Sequence, residues 1–141
     1  MAYAVAQDMI DRFGERTLAE VTTDSGDTPD TAKLDLALSD ASNLIDGFLQ
    51  ARYSLPLTAV PAQLQLHACN IAFYQLLAAR PTGDIEDVRK RYDDAIAYLR
   101  EVSLGRISLG LAEDQAPATE HGGLKLAGPT KRFGRDNLAG F

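Results

Sequence analysis

The sequence predicts a mainly α-helical protein, a small bundle of about four to five helices with an extended C-terminal arm and tail. Three observations carry that prediction. Apolar residues recur at spacings of three and four through residues 29–52 and 84–103, and 62–79 is apolar almost all round. Clusters of Gly, Pro and small polar residues separate these segments. Beyond Gly105 the period is lost, and Gly and Pro lie scattered through the remainder.

Each element has its own local reason. Residues 4–13 place Val5, Met9, Ile10 and Phe13 on one side of a short helix, with Gly14 set to end it. A second short helical turn, ERTLAEV, follows, and TTDSGDTPD at 22–30 reads as a loop. Thr28 before Pro29 suits an N-cap and first helical position, because proline lacks the N–H that has no partner there. Leu34, Leu38, Ala41, Leu44, Ile45, Phe48 and Leu49 then mark a long amphipathic helix to about Arg52. Gly47 in its interior costs about 1 kcal/mol relative to alanine. It reads either as a point of close packing or as a tolerated surface glycine.

RYSLPLTAVP reads as extended, since Pro56 pushes Leu55 out of the helical region and Pro61 can open the next helix. Residues 62–79 are apolar almost all round and therefore belong at the centre of the domain. RPTGD breaks that helix, and Asp84 is set to cap the last one. The last helix carries the stripe Ile85, Val88, Tyr92, Ala95, Leu99 and Val102, and Gly105 ends it. ISLGL at 107–111 has the composition of a short strand. The chain thus divides into a bundle over 1–105, an arm over 106–128 and a basic-aromatic tail over 129–141.

The totals bound what such a protein does. At 141 residues the chain suits one domain with a real core. It carries 14 Lys plus Arg against 20 Asp plus Glu, a formal net charge of -6, which argues against gripping duplex DNA through many phosphates. Cys69 is the single cysteine, which excludes an intrachain disulfide and suits a reducing compartment. The N-terminal stretch has neither a basic region nor a long apolar run, and no segment approaches the roughly 20 apolar residues that span a bilayer. The expected home is the cytosol of the producing cell, with no membrane association.

No chemistry assembles from the motifs. His67 and Cys69 stand two residues apart on a helix and point in different directions, whereas shared metal ligation wants a spacing of three or four. Both read as packing residues. His121 has no evident partner, GPTKR lacks the phosphate-loop spacing, and Asp93 and Asp94 splay apart as helix neighbours. The expectation is a non-enzyme with no cofactor. A helix-turn-helix DNA binder is the rival from another class. The helix at 62–79 is too apolar to read bases, and Arg89, Lys90 and Arg91 alternate with acids that repel phosphate.

IDGFLQARYSLPL at 45–57 and VRKRYDDAIAYLREVSLGRISLGL at 88–111 resemble the Mu-type phage neck proteins, small head–tail connector (adaptor) subunits of tailed phages. The opening AQDMIDRFGE and closing RFGRDNLAGF are similar to that family's ends, so the resemblance covers nearly the whole chain. It implies a ring, usually of twelve copies, beneath the portal protein, extending the DNA channel and offering a platform for the next neck or tail protein. It implies no catalytic residues, and DNA that passes through the lumen without specific binding. A tail-completion or stopper subunit lower in the neck is the alternative within phage assembly.

Two sets of residues follow as candidate contacts. The tail residues Lys131, Arg132, Phe133, Arg135, Leu138 and Phe141 would dock on the portal; a solubilising tail is the alternative, against which the apolar side chains count. Arg52, Tyr53, Leu55, Pro56 and Leu57 would form a projecting loop or a contact with a neighbour, or simply connect two helices.

Overall fold

The computed structural model describes residues 2–25, 27–80 and 85–112. Five helices follow in order: α1 Ala6–Phe13, α2 Glu15–Thr22, α3 Thr31–Leu49, α4 Ala62–Ala79 and α5 Glu86–Ser103. The three long helices pack on one another, and α1 and α2 close one side against α3 and α4. This mainly α-helical arrangement is the predicted one.

α4 is the middle of the core. Leu64, Ala68, Cys69, Ile71, Ala72, Phe73 and Leu77 are all buried on it. It starts where Pro61 allows, with the Pro61 carbonyl accepting the Leu64 N–H at 2.9 Å. α3 contributes Leu34, Leu38, Ala41, Ile45 and Leu49, and α5 contributes Ala95, Leu99 and Val102. Each fully buried Leu or Ile adds about 1.5–3 kcal/mol of transfer free energy. Phe13 of α1 stacks on Phe73 with centroids 4.2 Å apart, which fixes the short helix to the centre.

Gly14 joins α1 to α2 at φ 83, a left-handed conformation that a side chain would strain. Thr22 closes the return from α2: its hydroxyl donates to the Leu18 carbonyl at 2.7 Å and accepts the Asp30 N–H at 3.0 Å. Lys33 Nζ donates to the Thr22 carbonyl at 2.6 Å, and Arg80 pairs with Asp24 across the same end.

Several expectations need correction. The N-cap of α3 is Asp30, not Thr28, because its carboxylate accepts the N–H groups of both Ala32 and Lys33 at 3.0 and 3.3 Å. α3 stops at Leu49, and the chain turns through 50–53 rather than continuing to Arg52. Val5 is 57% exposed; Tyr3 and Ala4 take the buried positions at the N-terminus. Leu44 and Phe48 only lean on the core, half-buried. Gly47 is exposed, and a Cβ there would meet nothing within 4 Å, so no packing among the described residues requires it. The strand expected over 107–111 does not form; the segment bends along the bundle and lays Ile107, Leu109 and Leu111 on the core. Asp84, the expected cap of α5, lies outside the described residues, as do 113–141.

Candidate interaction surface

The connector between α3 and α4 starts as a tight turn. The N–H groups of Arg52 and Tyr53 both donate to the Leu49 carbonyl at 2.9 Å. That turn sends the Tyr53 ring inward, only 3% exposed, and Leu57 follows it at 7%. The Tyr53 hydroxyl accepts the Leu109 N–H at 3.0 Å, tying the connector to the segment after α5. Arg52 lies over Gly105, which sits at φ 76; a Cβ there would collide with the guanidinium. Leu55 is half-buried against the core, and Pro56, joined to it by a cis peptide, is exposed.

Of the five connector residues read as a contact, then, Tyr53 and Leu57 serve the fold and Pro56 faces outward. The connector is anchored to the bundle at Tyr53 and Leu57, and Ser54, Pro56, Thr58, Ala59 and Val60 face outward. The tail residues Lys131, Arg132, Phe133, Arg135, Leu138 and Phe141 lie outside the described residues.

The N-terminal segment is pinned to α3 by two bonds, and a third, within α3, orients the Ser42 hydroxyl that accepts one of them. Tyr3 N–H donates to Ser42 Oγ at 3.2 Å, the Tyr3 hydroxyl donates to Asp46, and the Ser42 hydroxyl donates to the Leu38 carbonyl at 2.7 Å. Burial, aided by the carboxylate beside it, raises the Tyr3 hydroxyl pKa, so the phenol keeps its proton as donor.

His67 and Cys69 are packing residues. The His67 ring lies 4.5 Å from that of Tyr98, and its Nδ1 is buried without a hydrogen-bond partner. Burial lowers the His67 pKa, with Asp94 opposing the shift. Below the unfolded value near 6.5 the unfolded chain therefore binds the proton first. Stability present above pH 6.5 is lost on acidification, down to the lowered folded-state value. We expect His67→Gln to flatten the fall of the urea midpoint between about pH 7 and 5. An unchanged slope would place the titration elsewhere. Asp8, whose carboxylate accepts the Val5 N–H at 2.8 Å and so has a lowered pKa, acts in a separate window below 3.8.

Burial pushes the Cys69 thiol up to about 11. At pH 8 only about one molecule in a thousand is thiolate, and the sulfur is also covered. Native protein should resist a thiol-directed disulfide reagent and release one equivalent only on unfolding. Rapid reaction of the native chain would contradict this packing.

What faces solvent is unevenly charged and partly apolar. Residues 1–50 hold ten acids against three Lys or Arg, whereas 51–112 hold six against seven. Asp11, Glu15, Glu20, Asp35 and Asp40 are all exposed on α1–α3. Leu36 and Leu104 are 65% and 58% exposed, and a shallow groove of about 190 Å³ runs beside Leu36 between Ala37, Asp40, Gln75 and Leu76. Sequence reading passed over both leucines. The available signal was phase: Leu36 falls about 200° from Leu34 and Leu104 about 200° from Val102.

No helix of the described residues is long and apolar enough to cross a membrane. Among those residues no group of His, Cys, Asp and Glu could hold a metal ion.

Residues 3–127 match the family described as Bacteriophage Mu, Gp36. The Mu-like prophage FluMu protein gp36 of Haemophilus influenzae is 36% identical over 140 residues, covering 99% of this chain and 97% of that protein. Gene product J of Escherichia phage Mu is 35% identical over 123 residues, 85% of this chain and 84% of the phage protein. A match of this extent, carrying the whole described bundle and reaching into the arm, means that the chain belongs to the bacteriophage Mu Gp36 family.

Proposed function

We propose that the protein is a head–tail connector (adaptor) subunit of a tailed bacteriophage, one of a ring of copies beneath the portal that extends the DNA channel. The observation that carries this reading is the match to a phage Mu family over almost the whole chain, joined to the neck-protein resemblance of residues 45–57 and 88–111. In this reading the subunit is structural and non-catalytic. Its partners are the portal protein, the next neck or tail protein, and copies of itself.

The charge pattern supports the same reading. An acid-rich α1–α3 surface repels DNA phosphate, and a channel wall needs that property because a lumen that bound the duplex would impede its passage. Arg89, Lys90 and Arg91 do stand exposed on α5, yet Glu86, Asp87, Asp93 and Asp94 are exposed among them. We therefore expect no duplex DNA binding in a mobility-shift assay at physiological salt. Tight, salt-sensitive binding would replace the connector with a DNA-binding regulator. Imaging of the purified protein mixed with portal protein tests the assembly itself, with rings on portals as the expected result.

A further inference from the structure

Two exposed stripes on the bundle match each other in spacing and differ in chemistry. On α3, Leu36, Asp40, Asn43 and Gly47 are all exposed, each two residues beyond a buried one: Leu34, Leu38, Ala41 and Ile45. They share one side of the helix and span about 16 Å of it. On α5 and its C-cap, Asp93, Ala97, Arg100 and Leu104 are exposed on the side away from Ala95, Leu99 and Val102. Among the described residues neither Asp40 nor Arg100 takes part in an ion pair.

Both stripes step by four, three and four residues. We propose that the α3 stripe of one copy binds the α5 stripe of the next copy in antiparallel register. Leu36 then meets Leu104, Asp40 meets Arg100, and Asn43 meets Ala97. Gly47, which no contact among the described residues requires, lets the facing helix come close at Asp93. The parallel register has the same spacing but sets Leu36 against Asp93 and Asn43 against Arg100, so the chemistry selects the antiparallel one. Charge enters this register at one point, where Asp40 and Arg100 stand opposite each other with opposite sign.

Because the two patches are different, the contact is head-to-tail, and its repetition gives a ring or an open filament rather than a two-fold dimer. The inference deepens the ring reading above and rests on it. It names the two faces through which neighbouring subunits join.

The test uses the full chain, in which the native Cys69 is buried. Leu36→Cys and Leu104→Cys proteins are oxidised separately and as a mixture, at concentrations up to millimolar. The mixture should give a disulfide-linked dimer joining the two positions, and neither variant alone should. Asp40→Arg should weaken self-association at least about tenfold, as should Arg100→Asp, and the double variant should recover it, all with unchanged circular dichroism. Efficient cross-linking of either variant alone would mean a two-fold contact and overturn the assignment. So would the absence of a cross-link in the mixture, or self-association indifferent to both charge reversals. Rings on portals without the cross-link would remove this contact and leave the connector reading intact. The cross-link and charge rescue without any portal binding would do the reverse.

Discussion

Phe73→Ala is expected to cost about 3–5 kcal/mol, a large part of the stability of a domain this size. The ring is 6% exposed and stands on α4, the helix that touches all four others. It also carries the stacked Phe13, so its removal leaves a cavity and takes away the surface on which α1 rests. Two effects should appear together. The thermal midpoint should fall by about 10 °C or more, and amides of α1 should exchange faster than those of α3 in the same variant. The α3 amides serve as the internal control, because α3 packs on α5 as well as on α4. A loss below about 1 kcal/mol in chemical denaturation would mean that α1 and α4 do not meet as described.

The fold was legible where one physical signal was strong and unopposed. α4 is apolar all round and bounded by Pro61 and the RPTG break, so both its limits and its central place could be read directly. α3 and α5 followed from their three-and-four stripes. The ends were harder, because competing capping residues stand next to each other. Thr28–Pro29 and Asp30 are both credible starts, and the carboxylate wins by satisfying two N–H groups at once. The segment 2–5 is too short for a period, which is why Val5 was expected inside although Tyr3 and Ala4 are the ones buried.

The connector and the 107–111 segment illustrate a different limit. Alternating apolar residues in ISLGL look like a strand in isolation, but a strand needs a partner ladder, and Leu109 N–H finds the Tyr53 hydroxyl instead. The two residues are 56 apart in sequence, and no local pattern announces a side chain as the acceptor. The same bond gives Tyr53 of RYSLPL a role inside the fold, while Ser54 and Pro56 beside it remain exposed. By contrast, the exposed leucines on α3 and α5 were visible as misfits of phase, and only the structure could say that each truly faces solvent.

Deletion of residues 129–141 is expected to abolish joining to the portal while leaving the thermal midpoint nearly unchanged. Phe133, Leu138 and Phe141 follow a Gly- and Pro-rich arm in the sequence, beyond the last of the helical apolar stripes. Burying three such side chains gains about 1.5–3 kcal/mol each. Ordering the eleven backbone positions of 131–141 costs about 1–2 kcal/mol apiece, which is more. One tail alone therefore binds weakly. In the proposed assembly Arg132 and Arg135 would add charge-assisted bonds to acidic groups on the partner, and many tails around one ring would engage it with avidity. Full-length rings should accordingly hold the portal far better than an isolated peptide of residues 129–141. Phe133→Ala combined with Phe141→Ala should weaken docking more than Lys131→Ala, because the rings need pockets whereas the lysine stays solvated. Particles made with the truncated chain should lose DNA or remain tailless. A truncated protein that melts several degrees lower and still joins portals would assign the tail to the fold instead of the partner.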